Sequence, residues 1–313
     1  MCILANIYIH NDLIKKKCVP LHPLTNLINQ SMDTTKLIKI SSITKKLLVA
    51  LFASFLLIFL LFHMTANLFI LAKDGGDAYS AFCHFMGTNV FVKVAEVVLF
   101  GCLLLHLCLA SYLWFQNRRN RPVGYHKPSK TKTGKGSKLM MITGSLMLVC
   151  LVFHFYDFYF VKHNFVEGTY MVKTEALQVA MSDPEVEFSE QAQEALMNIA
   201  SDEKNFSQDM KWIRNISAAD RTTLEGTFKD VEFEPDFYHM ARQKFSVWHI
   251  VLCYLVFFAL VGIHIRHGFE SAFQTFGLNH YKYSRLVQIL GIIYTWVVLL
   301  GFAAVPLGVF LGL

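Results

Sequence analysis

Five long runs of apolar residues constrain this chain more than any other feature of its sequence. The runs cover residues 47–72, 90–115, 139–161, 245–269 and 286–313. A helix rises about 1.5 Å per residue, so about 20 apolar residues cross the hydrocarbon of a bilayer. Backbone amides in lipid must be hydrogen-bonded within their own segment, which favours helices. The sequence therefore predicts an all-α, polytopic membrane protein with a five-helix transmembrane bundle.

Several functional classes lack their motifs in this sequence. The seven cysteines form no CxxC pair and no CxxCH haem-attachment sequence, which argues against an iron–sulfur cluster or a covalent haem in this chain. There is also no Walker sequence, GxGxxG fingerprint or GxSxG elbow. Nucleotide chemistry and hydrolysis are therefore not expected, and neither is a nucleic-acid partner.

The distribution of charge predicts the orientation in the membrane. Residues 116–138 carry eight Lys and Arg side chains and no acid. Residues 36–46 and 282–285, which alternation of five helices places on the same side, are also basic. The positive-inside rule makes this side cytoplasmic. We therefore expect a cytoplasmic N-terminus and a C-terminus on the outer side.

Two segments flank or interrupt this five-helix domain, which we place at residues 36–313. Residues 162–244 carry nine Lys and Arg against sixteen Asp and Glu, so this insertion suits the outer side, and residues 189–200 have a helical pattern. The insertion either caps the outer mouth of the bundle or is a tolerated surface insertion. Residues 1–35 are a cytoplasmic tail or a mis-assigned start, because Met32 would give a more compact beginning.

Each of the first four runs contains a histidine deep within the span. His63 and His154 lie 9 and 7 residues before the predicted outer ends of the first and third spans. His106 and His264 lie 9 and 5 residues before the predicted inner ends of the second and fourth. Ionisable side chains are costly inside a membrane and are usually functional. The depths predict two pairs, one in each half of the bilayer.

Neutral imidazoles on two facing helices can serve as the axial ligands of a b-type haem. The depths pair His63 with His154 for an outer, distal haem and His106 with His264 for an inner, proximal haem. A single intramembrane histidine often only bonds a neighbouring helix, but four that match in depth favour two haem b groups between the first four helices.

Four stretches of the sequence resemble one known family. They are FHMTANL within residues 45–71, AYSAFCHFMGTN at 78–89, LFGCLLLHLCLASYLWFQNRRNRP at 99–122 and GIHIRHGFESAFQTFGLNH at 262–280. The chain resembles the di-haem cytochrome b membrane subunit of succinate dehydrogenase and fumarate reductase. The resemblance covers residues 41–313 except the outer insertion, which is longer than the family usually has.

The resemblance implies axial-ligand roles for the same four histidines. It also implies a flavoprotein that interconverts succinate and fumarate, and an iron–sulfur protein docked on the basic cytoplasmic face. This chain would then be the quinone-reactive subunit in a bacterial inner membrane, passing electrons to or from a quinone, menaquinone in the di-haem members. Gly262 stands where some members carry a membrane-buried glutamate, so a proton path through the fourth helix is in doubt.

A quinone needs hydrogen-bond donors at its carbonyl groups and a route for protons. Near the outer haem, the candidates for this site are Tyr79, His84, Lys93, Glu96 and Asp157. The alternative is that Lys93, Glu96 and Asp157 are ordinary interfacial charges, and an inner quinone site near residues 41–46 also stays open.

Two other functions stay open at this point. The chain could be the cytochrome b subunit of another membrane dehydrogenase, of the hydrogenase or formate dehydrogenase type. It could also be a transporter or assembly protein without redox chemistry, although a transporter would more naturally show broken helices and central carboxylates.

Overall fold

The computed structural model describes residues 41–120, 135–201, 211–278 and 280–313. The predicted tail at residues 1–35 and most of the cationic loop at 116–138 lie outside the described residues. Nearly all described residues belong to one compact unit, Ile43–Leu313.

The helices and strands are numbered in chain order. The helices are α1 (Ser42–Asn67), α2 (Asp77–Thr88), α3 (Val90–Arg119), α4 (Lys135–His154), α5 (Phe160–Lys162), α6 (Thr174–Met181), α7 (Glu190–Ser201), α8 (Ala218–Thr227), α9 (Phe237–Phe245), α10 (Trp248–Thr275) and α11 (Ser284–Phe310). The strands are β1 (Tyr170–Lys173), β2 (Trp212–Ile216) and β3 (Glu234–Pro235). A 3₁₀ turn (Leu68–Leu71) continues α1, and a π-helical turn (Phe155–Tyr159) joins α4 to α5.

The five predicted membrane spans are confirmed as long apolar helices, and the all-α fold class with them. The observed spans are Ser42–Leu71, Val90–Arg119, Leu139–Lys162, Trp248–Thr275 and Ser284–Phe310.

The fourth span begins and ends later than the predicted 245–269. Phe245 closes α9 instead, and the extended backbone of Val247 separates that helix from α10. At the other end an ion pair between Arg266 and Glu270, one turn apart, supports continuation of α10 to Thr275. Hydropathy alone misses this last turn because it is amphipathic.

The first and last membrane helices pack closely against each other. A Cβ atom on Gly301 or Gly308 of α11 would overlap the side chain of Met64 or Leu71, so these two side chains lie directly against the backbone of α11. The Tyr294 hydroxyl of α11 donates to the Leu57 carbonyl of α1 at 2.6 Å. By contrast, no residue of α3 is fully buried within the described chain.

Residues 163–247 form an extramembrane domain between the third and fourth spans. Its antiparallel sheet has the order β2-β1-β3, with Val172 paired to Ile213 and Tyr170 to Pro235. The domain has its own apolar core, made of Tyr170, Val172, Leu177, Ala195, Ile199, Ile213, Ile216, Leu224, Phe228, Val231 and Phe233. The helix predicted at 189–200 is present as α7, whereas the sheet was not predicted.

The segment between the first two spans contains a helix that the apolar runs do not predict. Residues Asp77–Thr88 form the helix α2, which begins after Gly76. Asp74 starts this turn because its carboxylate accepts hydrogen bonds from the backbone N–H groups of Gly76 and Ala78, at 3.0 and 2.8 Å. Burial opposes ionisation of Asp74, but these hydrogen bonds outweigh it and lower the pKa of the carboxyl group.

Candidate functional site

The structure brings two of the four membrane histidines into contact. His63 of α1 and His154 at the end of α4 have ring centres 6.0 Å apart, with the rings at 78° to each other. Each lies eight residues before the end of its span, at Leu71 and Lys162. We refer to these two residues as the first histidine pair.

The separation of this pair fits one metal ion between the rings. A metal–imidazole bond is about 2 Å long and the ligating nitrogen lies about 1 Å from the ring centre, so shared axial ligation separates the ring centres by about 6 Å. The 6.0 Å observed has that value. The Nδ1 atom of His154 is buried and has no hydrogen-bond partner among the described residues. Nδ1 of His154 therefore forms no hydrogen bond to another helix in the described part of the chain.

Aromatic side chains surround the first histidine pair. Phe59 stacks on His63 at 5.3 Å, and Phe302 of α11 lies 5.8 Å from the same ring. Phe158 and Tyr254 lie 5.3 and 6.3 Å from the ring of His154. Flat apolar rings of this kind are suited to contact the faces of a large planar cofactor.

His106 and His264, the second histidine pair, are held differently. They lie thirteen and eleven residues before the ends of their helices, Arg119 and Thr275. No ring contact joins them in the described part of the chain. Instead, Nδ1 of His106 lies 3.4 Å from the Val49 carbonyl of α1. A carbonyl oxygen only accepts, so Nδ1 carries the proton and Nε2 keeps the lone pair that a metal requires.

His264 is held in the same tautomer as His106, but by a hydroxyl group instead of a backbone carbonyl. The hydroxyl of Thr143 on α4 lies 3.1 Å from the carbonyl oxygens of Leu139 and Met140, where it can only donate. Its oxygen is then the acceptor for Nδ1–H of His264, 3.3 Å away. The Nε2 atom of His264 is again left with its lone pair.

Glycines lie beside His264 on two sides. A Cβ atom on Gly144 of α4 would stand 3.3 Å from Cε1 of His264. A Cβ atom on Gly268, one turn further along α10, would meet no atom within 4 Å. Gly268 therefore leaves open space one turn from His264 on α10.

Two facing histidines are a ligand set that haem iron can use. Haem iron needs only axial ligands from the protein, because the porphyrin supplies the rest. The first histidine pair therefore fits the haem interpretation.

The predicted quinone residues do not form one cluster. Tyr79 and His84 lie on α2, where His84 contacts Glu234 of the extramembrane domain, and Nε2 of His84 accepts from Lys173 at 3.0 Å. Burial holds the pKa of Tyr79, which has a hydrogen bond to Cys83, well above its usual range. These two side chains are engaged in packing α2 against the extramembrane domain.

Glu96 and Lys93 lie at the beginning of α3. Glu96 accepts a hydrogen bond from Lys162 at 2.6 Å, and Nε2 of His163 is 3.7 Å from its other oxygen. The side chain of Lys93 is exposed. Glu96 therefore joins α3 to the end of the third span.

Asp157 is the candidate that lies beside the first histidine pair. It sits in the π-helical turn that follows His154, and such turns are frequent at functional sites. Lys244 donates to one oxygen of Asp157 at 2.6 Å, and the hydroxyl of Tyr254 donates to the other at 3.4 Å. Since Tyr254 also touches His154, this polar cluster adjoins the pair directly.

Tyr254 and Lys244 were missed by sequence reasoning. Tyr254 lies within the apolar fourth span, and a buried tyrosine hydroxyl normally requires a partner. That requirement is the signal that could have singled it out. Lys244 gave no such signal, because its partner Asp157 is 87 residues away in the chain.

No family model, curated protein or solved structure matches this chain.

Proposed function

We propose that this chain is the haem-bearing membrane subunit of a succinate dehydrogenase or fumarate reductase. In this role it carries electrons between an iron–sulfur subunit and a membrane quinone. The supporting observation is the 6.0 Å separation of the His63 and His154 rings inside an aromatic enclosure. The resemblance of residues 41–313, except the outer insertion, to the di-haem membrane subunits supplies the enzyme class.

The four histidines would hold two haem b groups, one at each pair. When bound, haem supplies a one-electron carrier whose properties depend on its axial ligands and their hydrogen bonds. His63 and His154 hold the outer, distal group, and the aromatic side chains around them exclude water. His106 and His264 hold the inner, proximal group, with Val49 and Thr143 keeping each ring in the ligating tautomer.

Asp157 and Tyr254 are the proposed proton-exchanging groups for the quinone. A quinone gains or loses protons with its electrons, so the site needs acids within reach of its oxygen atoms. Tyr254 is a hydroxyl donor beside His154, and Asp157 accepts its hydrogen bond. Glu96 is a second candidate, while Tyr79, His84 and Lys93 are proposed only to border the site from α2 and the start of α3.

The same proposal gives the chain an orientation in the membrane and two protein partners. The extramembrane domain faces outward from a bacterial inner membrane, and the basic ends of α3 and its neighbours face the cytoplasm. A flavoprotein and an iron–sulfur protein dock on that basic face. Arg118 and Arg119 in the last turn of α3 belong to it, and Arg118 is further held over the ring of Trp114 at 5.4 Å.

Purification in mild detergent tests the proposal. The reduced-minus-oxidised spectrum should show two low-spin b-type haems, and a flavoprotein with covalent flavin should co-purify. A preparation without haem absorption would overturn every redox function for this chain. Haem together with a hydrogenase or formate dehydrogenase partner would instead keep the cytochrome and overturn the succinate assignment.

Reporter tags test the orientation separately. A tag at Thr131 should report a cytoplasmic position and a tag at Ser207 an outer one. Both tags on one side would be incompatible with five alternating spans.

A further inference from the structure

The extramembrane domain is joined to the bundle through a buried arginine. Arg214 of β2 is only 7% exposed. Its Nη1 atom donates to Ser80 Oγ at 2.5 Å, and its Nη2 atom donates to Asp77 Oδ1 at 3.1 Å, both on α2. Asp236, fully buried at the start of α9, lies 3.6 Å from Nη1. A buried guanidinium is tolerated only when it is paired and hydrogen-bonded, so these contacts are required together.

The conformation of β2 directs this arginine away from the domain core. Ile213 and Ile216 both lie in that core although they are three residues apart, because Asn215 between them has a φ of +60°. The N–H of Asn215 donates to the carboxylate of Asp236 at 3.2 Å, which holds the irregular strand in place. Arg214 therefore projects from the opposite face of β2, towards α2.

The interface between the extramembrane domain and α2, which we call the seam, also contains a close approach of the backbone to a side chain. Gly76 precedes α2 with a φ of +92°, and a Cβ atom there would lie 2.5 Å from the ring of Tyr238 on α9. The ring of Tyr238 also lies 5.3 Å from the guanidinium of Arg214. A glycine turn, an aromatic ring and a buried cation thus fit together where the domain meets α2, so the contact is a specific one.

The seam continues to the first histidine pair. Tyr79 of α2 and Phe245 of α9 belong to an apolar cluster that also includes Phe158 and Tyr254. Those last two rings are the ones that contact His154. Three residues further along α2, Phe82 lies 6.0 Å from Phe62, the residue before His63. Burial raises the pKa of the Cys83 thiol on α2 to about 12, as expected for a dry seam.

We infer that the extramembrane domain is a fixed roof over the first histidine pair, with Arg214 as the positioning residue that locks α2 beneath it. The roof keeps water from the aromatic wall around His63 and His154. Of the two sequence interpretations of the insertion, this favours the cap. The roof itself does not depend on a cofactor, whereas its effect on an outer haem rests on the proposed function.

Amide hydrogen exchange on the purified full chain tests the roof. Arg214→Gln should speed exchange in residues 77–88 by about tenfold or more, because it removes the charged partner of Asp77 and Ser80 on α2. The matched control is Arg221→Gln. Arg221 lies in the same domain, but its contacts, Glu225 and Asn164, are within the domain. The control should leave residues 77–88 unchanged.

Alkylation of Cys83 gives a second measurement that needs no haem. The thiol should react with a maleimide about tenfold faster in Arg214→Gln than in the control. Equal exchange and equal alkylation in the two variants would overturn the roof. If Arg214→Gln fails to accumulate, Asp77→Asn removes one partner of the lock and is measured against the same control with the same criterion.

The spectrum of the outer haem links the roof to the histidine pair. Arg214→Gln should alter the outer haem signal and leave the inner one unchanged, and Arg214→Lys should rescue it only in part, since lysine lacks the planar donor pair. Faster exchange in a preparation that lacks haem would support the roof and contradict the proposed function. An unaltered outer haem despite faster exchange would restrict Arg214 to holding the fold.

Discussion

The two histidine pairs lie in one bundle but are held by different forces. Aromatic packing encloses the first pair, whose rings touch and whose His154 Nδ1 has no described partner. The ring nitrogens of His63 lie 3.5 Å from Nδ2 of Asn67, which is one turn further along the same helix. In the second pair each ring is hydrogen-bonded to a neighbouring helix through Nδ1. Packing tolerates rotation of a ring, whereas a hydrogen bond sets its tautomer. The first pair should therefore respond to changes in the roof and the second to changes in single polar partners.

The largest effects are expected from the histidines themselves. His63→Ala and His154→Ala should each remove the same haem, while His106→Ala and His264→Ala should each remove the other. His264→Ala should also weaken assembly, because α10 packs against both α4 and α11. Low-temperature difference spectra of the four variants measure this. If His63→Ala and His154→Ala abolished different haems, the pairing would be wrong.

Asp157→Asn examines the polar cluster beside the first pair. The change keeps the shape of the side chain but removes its capacity to exchange a proton, so quinone turnover should fall by about 100-fold. Succinate oxidation with an artificial acceptor, which bypasses the quinone, should persist. Unchanged quinone kinetics would assign Asp157 to the ion pair with Lys244 alone.

Thr143→Val examines the hydrogen bond of the second pair. Loss of the acceptor for His264 should weaken binding of the inner haem by about tenfold and leave the outer haem unaffected. Thr65→Val is the control, since the hydroxyl of Thr65 only donates to the Leu61 carbonyl on an exposed part of α1. Haem retention during detergent dilution measures the effect. Equal losses in the two variants would mean that Thr143 acts through helix stability.

Glu96→Gln tests whether the quinone site beside the first histidine pair extends as far as α3. Glu96 is ion-paired with Lys162 and has no described contact with either histidine ring of that pair. We expect quinone turnover to fall only a few-fold, because a partly exposed ion pair contributes little. A loss as large as that of Asp157→Asn would move the quinone site towards α3.

His267→Ala should have the smallest effect and tests the ligand assignment of the second pair. His267 lies three residues after His264 on α10, so either ring is near the same helix face. The bond from Thr143 goes to His264, which we expect to be the ligand. Both haems should remain in His267→Ala, and loss of the inner haem there alone would reverse the assignment.

The spans and the depths of His63 and His154 could be read from the sequence because they depend on local quantities, whereas His106 and His264 lie deeper in their longer helices than predicted. Run length and helical rise decide whether a segment crosses a membrane, and both are visible without any tertiary contact. The structure confirms five such helices. The match between His63 and His154 in depth also needs only the position of each residue in its run.

The tertiary structure decided which groups surround each histidine. Thr143 and His264 are 121 residues apart, and Arg214 and Ser80 are 134 residues apart, so no periodic pattern links them. The sheet of the extramembrane domain escaped prediction because its strands are short and β2 is interrupted at Asn215. Contacts of this kind depend on packing between distant segments, and local helix and strand preferences carry no information about them.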